Sequence, residues 1–272
     1  RTGLSIRWLR VRAPSLPPIL SKGRFLRESA FFCRKVVLPV HAYLSVALLA
    51  VLQGITEFLP ISSSGHLLVA ARLLDFNPPG VRVEMMLHFG TLLAVCLHYR
   101  LRLAALLRGF FRRDSAARRQ CGLLLLASLP IIGVYLLFHE PLKAAYESPR
   151  LAAAMLLATG GGLLSLRLRR RPSAVDAPTP ARADAPLNAW RAGVIGLAQA
   201  LAILPGISRS GATIVVARHL GLAPAHAAEF SFLMCIPPLL GGTLLSLFER
   251  GGAPGASGPS WSVLTLGALV AA

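Results

Sequence analysis

The sequence predicts an all-α, polytopic membrane protein built from two inverted repeats, the second of which is truncated. Hydrophobic residues make up 54% of the 272 positions, and several apolar runs are long enough to cross a bilayer. Two other apolar stretches are interrupted by proline and polar residues, and these two interruptions resemble each other. Such a pair is typical of membrane proteins whose binding site lies near the bilayer midplane.

The repeat becomes visible when residues 53–74 are aligned with residues 199–220, an offset of 146 positions. The identical pairs are Gln53 and Gln199, Ile61 and Ile207, Ser62 and Ser208, Ser64 and Ser210, Gly65 and Gly211, Val69 and Val215, Ala71 and Ala217, Arg72 and Arg218, and Leu74 and Leu220. Each copy therefore contains Ile-Ser-x-Ser-Gly. Among the positions at which the copies differ, one is informative: Arg209 occupies the position that Ser63 has in the first copy.

Residues 1–41 are predicted to be a basic N-terminal extension outside the repeats, because four prolines interrupt them and they contain no compact apolar segment. Two interpretations remain open for this segment. It is either a disordered extension, which an over-long gene start would also explain, or an anchor for lipid headgroups.

The first repeat is predicted to occupy residues 42–168. Residues 192–204 and 211–222 of the second repeat are each too short to cross a bilayer, which favours a re-entrant helical hairpin. By the duplication, the equivalent segments of the first repeat form a twin hairpin over residues 45–75. Three transmembrane helices then follow, at 83–99, 121–138 and 151–168.

Residues 169–191 are predicted to form an Arg/Pro-rich loop that leads into the second repeat, residues 192–272. This repeat has its own re-entrant hairpin (192–222), a transmembrane helix (229–248) and a final apolar piece (261–272) that is too short for a span.

Topology follows from the odd number of crossings in the first repeat, which turns the second copy upside down. Two arginine-rich loops, 100–119 and 167–191, then lie on the same side, and the positive-inside rule makes that side cytoplasmic. The basic extension would then lie outside, against the same rule, unless residues 42–59 span the bilayer or the extension is not part of the mature protein. The same rule also explains the net charge of +18. We therefore do not expect the chain to bind nucleic acid.

Ionisable and hydroxyl side chains are concentrated in the first interruption. Glu57, the serines 62–64 and His66 lie within ten positions of a chain that is otherwise apolar. Each ionisable group at membrane depth costs about 2.5–3.5 kcal/mol on insertion scales, so such groups mark functional sites. Pro60 ends the preceding helix, and serines favour the start of the next one, whose free N–H groups bind anions.

The second interruption carries Arg209, whose planar guanidinium can bind two phosphate oxygens at once. Ser208, Ser210 and Thr213 add hydroxyl groups, and Gly206 lets the backbone approach a ligand closely. The two interruptions together predict a phosphate-binding site.

Three motifs carry a family resemblance: Gln53-x-x-x-Glu57, Pro60-x-Ser-Ser-x-Gly-His66 and Pro205-Gly-x-Ser-Arg-Ser-x-x-Thr213. From about residue 42 to the end, the chain resembles the bacterial undecaprenyl-diphosphate phosphatase family of the BacA/UppP type. The resemblance implies a multi-pass protein of the bacterial inner membrane. It would hydrolyse undecaprenyl (polyprenyl) diphosphate to the monophosphate, which recycles the lipid carrier for cell-wall synthesis and confers bacitracin resistance.

The resemblance also implies residue roles. Ser63 is the expected nucleophile with His66 as its base, although which of the two bonds to phosphorus stays open. Glu57, with Gln53 one helical turn away, is expected to hold Mg²⁺ or Ca²⁺. The family motif accepts Glu or Gln at the first of these two positions, so Gln53 leaves the expected metal site with one carboxylate instead of two. The active site is expected to open towards the periplasm, and a homodimer is among the expected assemblies.

Three further residues, Glu84, His88 and Glu229, are candidates either for the same pocket or for structural pairing. The rival function is a lipid-phosphate flippase or transporter, which inverted repeats also permit. A purely structural membrane protein would leave Glu57, His66 and Arg209 unexplained.

Overall fold

The computed structural model describes residues 41–76, 82–146, 148–168, 185–248 and 260–272. The predicted extension, apart from its last residue, and most of the loop 169–191 lie outside these ranges. The regular elements within them are all helices: α1 His41–Thr56, α2 Ser63–Leu73, α3 Arg82–His98, α4 Arg100–Phe111, α5 Ser115–Tyr146, α6 Pro149–Leu168, α7 Ala189–Leu201, α8 Arg209–His219, α9 Pro224–Met234, α10 Ile236–Phe248 and α11 Trp261–Ala271.

Membrane-length segments are present among these helices. Ser115–Leu142, Pro149–Leu168 and Pro224–Leu245 are each long and apolar enough to cross a bilayer, and the last of them contains α9 and most of α10. A fourth candidate is the pair α3 and α4, which meet at an angle of 74°. The prediction of an all-α, polytopic membrane protein is therefore confirmed.

The predicted arginine-rich loop 100–119 is wrong for most of its length, since α4 and the start of α5 occupy it. The arginines of α4 alternate with leucine and alanine, which are all good helix formers. Only a short turn separates α4 from α5. Asp114 caps α5 there, accepting hydrogen bonds from the amides of Ala116 (3.2 Å) and Ala117 (3.3 Å).

The offset of the sequence repeat recurs in the helix boundaries. Helix α2 begins at Ser63 and α8 at Arg209, while α5 begins at Ser115 and α11 at Trp261. Both pairs of starting residues differ by the 146 positions that align the two sequence copies. The duplication therefore extends from the sequence to the helical plan.

The core is divided into two hydrophobic clusters, and each contains helices of both copies. One cluster combines α1, α2 and α3 of the first copy with α11 of the second. The other combines α7, α8 and α9 of the second copy with α4 and α5 of the first. The helices α5 and α11 occupy equivalent positions, and each of them packs into the cluster formed mainly by the other copy. The first copy also contributes α4 to the second cluster.

Close packing at the α5–α7 crossing depends on Gly196. A Cβ atom at this position would lie within 3.0 Å of three backbone atoms of Ala127 on α5. Gly193, one turn earlier on α7, has nothing within 4 Å of the equivalent point. Small residues at such crossings allow the van der Waals contact that holds membrane helices together.

We therefore expect Gly196→Ala to destabilise the protein, because α5 and α7 must separate. Overpacking of this kind costs about 1–3 kcal/mol, which corresponds to roughly 2–4 °C of melting temperature per kcal/mol in a chain of this size. Thermal unfolding in detergent measures the effect. Gly193→Ala is the matched control and should melt at or above the wild-type temperature, because alanine favours a helix. Equal melting temperatures for both variants would contradict the packing.

Candidate active site

Each of the two breaks ends in a serine that caps the next helix. The Ser62 side chain accepts a hydrogen bond from the Gly65 amide at 3.4 Å, and that of Ser208 accepts one from the Gly211 amide at 3.0 Å. These serines satisfy N–H groups that a helix leaves free in its first turn. The two copies thus use equivalent residues for the same local structure.

The breaks also contact each other through a second pair of equivalent serines. The Ser64 hydroxyl accepts a hydrogen bond from the Gly206 amide in the second break, at 3.4 Å. The Ser210 hydroxyl lies 3.2 Å from the Leu59 carbonyl oxygen in the first break, to which it donates. Backbone groups that leave a helix inside an apolar protein need such partners.

Two glycines bring the breaks into van der Waals contact. A Cβ atom at Gly65 would lie 3.2 Å from the Cα of Gly206, and one at Gly211 would lie 3.2 Å from the carbonyl oxygen of Pro60. The residues of these two contacts are equivalent in the repeat. Such reciprocal contacts are expected of two copies related by a pseudo-two-fold axis. The orientation of this axis relative to a membrane stays a prediction.

The Glu57 carboxylate lies where the two breaks meet, and its side chain is only 9% exposed. Its Oε1 forms an ion pair with Nη2 of Arg209. Its Oε2 accepts hydrogen bonds from Ser63 Oγ at 2.5 Å and from Gln53 Nε2 at 3.0 Å. The Nε2 atom of His88 lies 3.6 Å from the same oxygen.

This arrangement gives the Ser63 hydroxyl a carboxylate as its hydrogen-bond acceptor. Its hydroxyl hydrogen points to a carboxylate, which is an acceptor when ionised. A serine needs such a neighbouring base to become a nucleophile. Arg209 balances the charge of Glu57 from its other carboxylate oxygen.

His66 and Thr213 have other partners. The His66 Nδ1 atom lies 2.7 Å from the Ser62 carbonyl oxygen, and the described residues show no hydrogen bond between His66 and Ser63. The fully buried Thr213 hydroxyl donates to the Arg209 carbonyl at 2.8 Å and lies 2.6 Å from Ser231 Oγ. The predicted roles of both residues stay predictions.

The structure separates the three additional candidates. His88 reaches Glu57, and its Nδ1 lies 2.8 Å from the backbone carbonyl oxygen of Glu84. Glu229 instead pairs with Arg102 at 2.8 Å and lines a different recess, next to Arg119. His88 therefore lies at the site, whereas Glu229 does not.

A recess of about 290 Å³, including the space in its mouth, lies beside Glu57 and Arg209. Phe58 and Phe232 form part of its wall, and their rings pack edge to face with centroids 5.9 Å apart. Thr91 contributes a hydroxyl group. Our sequence analysis missed all three residues. Phe58 is next to a motif residue, but no sequence pattern marks Thr91 or Phe232.

The residues around Glu57 fit a hard divalent cation. The Gln53 Oε1 atom is buried and has no hydrogen-bond partner in the described part of the chain. One carboxylate and one amide oxygen suit Mg²⁺ or Ca²⁺, which take oxygen ligands. No group of three His, Cys, Asp or Glu side chains suited to a metal occurs among the described residues. A cation would therefore need oxygens from water or substrate as well.

Comparison with known proteins agrees with the motifs. Residues 46–272 match the family described as bacitracin resistance protein BacA. The chain is 41% identical over 238 residues to the undecaprenyl-diphosphatase of Salinibacter ruber, covering 81% of this chain and 83% of the relative. It is 42% identical over 213 residues to that of Syntrophotalea carbinolica, covering 76% and 78%.

The match spans both breaks and the helices that hold them, and it contains the Glu57, Ser63 and Arg209 cluster. The chain therefore belongs to the BacA family of bacitracin resistance proteins.

Proposed function

We propose that this chain is an integral membrane phosphatase that hydrolyses undecaprenyl diphosphate, or a related polyprenyl diphosphate, to the monophosphate and inorganic phosphate. The names of the relatives support the activity and the substrate. The observation that carries the proposal is the Glu57 carboxylate, which binds the Ser63 hydroxyl and the Arg209 guanidinium at the same time.

The reaction begins when the terminal phosphate of the lipid replaces Glu57 as the partner of Arg209. Ser63 Oγ attacks the terminal phosphorus, and Glu57 accepts the proton. The bond between this phosphorus and the bridging oxygen breaks, so that the lipid monophosphate leaves with the bonding electrons. Water then attacks the phosphorus of the phosphoserine and the P–Oγ bond breaks. Inorganic phosphate leaves with the protons of the water, and Glu57 returns its proton to Ser63 Oγ. Arg209 stabilises the charge on the transferred group through two parallel hydrogen bonds.

A divalent cation would be held by Glu57 and Gln53, and when bound it would neutralise charge on the phosphate oxygens. His66 is the alternative nucleophile, because its Nδ1 lies beside a carbonyl oxygen that favours a proton there. The other ring nitrogen then has its lone pair available.

The proposed active site opens towards the periplasm. Arginines are dense in α4 and the start of α5, and the positive-inside rule assigns this arginine-rich segment to the cytoplasmic side of the membrane. The proposed opening lies on the other side, away from these arginines. The homodimer stays a prediction.

Phosphate release distinguishes the phosphatase from a lipid transporter, because transport breaks no covalent bond. The purified protein in detergent should release phosphate from a polyprenyl diphosphate in the absence of any membrane gradient. A protein that binds this lipid but releases no phosphate would favour transport and overturn the proposal.

Arg209→Lys keeps the charge but loses the two parallel hydrogen bonds to phosphate, so we expect kcat/KM to fall at least about tenfold, or roughly 1.4 kcal/mol. Arg218→Lys is the matched control on the same helix, because the Arg218 side chain bonds the Leu222 carbonyl instead. It should retain wild-type turnover. Equal activity of both variants would show that Arg209 does not bind the phosphate.

The two candidate nucleophiles give chemically different intermediates. Phosphoserine survives acid and is cleaved by alkali, whereas phosphohistidine is cleaved by acid. We expect protein labelled from a terminally radiolabelled lipid diphosphate, and quenched within a turnover, to keep its label in acid and to lose the label in Ser63→Ala. An acid-labile label that depends on His66 would contradict the assignment of Ser63.

Gln53→Glu supplies a second carboxylate beside Glu57, so we expect the protein to bind Mg²⁺ or Ca²⁺ more tightly. The melting temperature in increasing metal concentration measures this binding without catalysis. The variant should reach its plateau at lower metal concentration than the wild type. An unchanged midpoint would show that residue 53 lies away from the cation.

A further inference from the structure

The second break, residues 202–208, leaves the helical hydrogen-bond pattern inside a membrane protein and therefore needs other partners. Several of these partners come from outside the break. The Tyr146 hydroxyl donates to the Ile203 carbonyl at 3.1 Å, and Ser64 receives the Gly206 amide. Among the described residues, Thr159 on α6 makes further contacts of this kind.

Thr159 forms two hydrogen bonds to the break. Its hydroxyl donates to the Gly206 carbonyl at 3.0 Å and accepts from the Ser208 amide at 3.0 Å. A hydroxyl group has one hydrogen and free lone pairs, so both bonds can form together. Threonines in helices commonly bond to a carbonyl of their own preceding turn, as Thr265 does with Trp261. Thr159 instead connects two separate elements.

Other contacts hold the break against the same face of α6. Gly206 has a positive φ of 96°, and a Cβ atom there would overlap the backbone of Ala152. The break therefore lies directly on α6. Ser208 caps α8, and Arg209 is the first residue of that helix. The amide that Thr159 binds is thus one residue away from the guanidinium that reaches Glu57.

We propose that Thr159 is a positioning residue. It holds the second break in place, so that Arg209 contacts the substrate phosphate bound beside the first break. The inference rests on the proposed function. Thr159 touches neither Glu57 nor Ser63 in the described contacts, and it acts through the backbone of Gly206 and Ser208. Small displacements of a binding group reduce rates strongly, by about a hundredfold for 1 Å.

Thr159→Val tests the role, because it removes both hydrogen bonds and keeps the shape of the side chain. We expect kcat/KM for the polyprenyl diphosphate to fall about 10- to 100-fold. Thr159→Ser, which keeps the hydroxyl, should recover most of this loss. Thr265→Val is the matched control for the substitution itself and should behave like the wild type.

A double-mutant cycle separates positioning from general destabilisation. If Thr159 acts through Arg209, the combination of Thr159→Val with Arg209→Lys should lose much less than the product of the two single losses. The combination of Thr265→Val with Arg209→Lys should be multiplicative. Multiplicative losses in both cycles, or no recovery by serine, would overturn the positioning role.

The wild type serves to separate this inference from the proposed function. A wild-type protein that releases no phosphate would refute the phosphatase. An active wild type with an equally active Thr159→Val variant would refute only the role of Thr159.

Discussion

The ion pair between Glu57 and Arg209 is the constraint on which the rest of the site depends. Both groups lie in a chain whose apolar helices suit a bilayer, where either charge alone would be costly. Removing one partner of a buried pair leaves an uncompensated charge, which typically costs about 3–5 kcal/mol. The two residues are 152 positions apart. The two halves must therefore fold against each other before either charge is satisfied.

The duplication provides a symmetrical frame for asymmetric chemistry. Equivalent serines cap equivalent helices, equivalent serines cross to the opposite break, and equivalent glycines pack against it. Within this frame, Ser63 and Arg209 occupy the same repeat position but differ in type. The frame therefore brings the Ser63 hydroxyl from one copy and the Arg209 guanidinium from the other to one carboxylate, which belongs to the first copy.

The sequence predicted the features that depend on local chemistry. Pro60, Pro205 and the serines after them indicated both breaks, and the repeat indicated that Ser63 and Arg209 are equivalent. It did not predict that His88 reaches Glu57 or that Glu229 pairs with Arg102, because such contacts depend on how helices cross. Thr159 was missed for the same reason, since a threonine in an apolar helix has no distinguishing pattern. The helix α4 was not predicted because its dense arginines were interpreted as a loop, although arginine, leucine and alanine all favour a helix.

A stability cycle on Glu57 and Arg209 tests most directly whether the two breaks form one site. Glu57→Gln, Arg209→Gln and the double variant are compared with the wild type by unfolding in detergent. Each single variant should have a lower free energy of unfolding than the wild type. The loss in the double variant should be smaller than the sum of the two single losses, by at least about 1 kcal/mol. Purely additive losses would show that the two side chains do not meet, and would contradict an active site shared between the two copies.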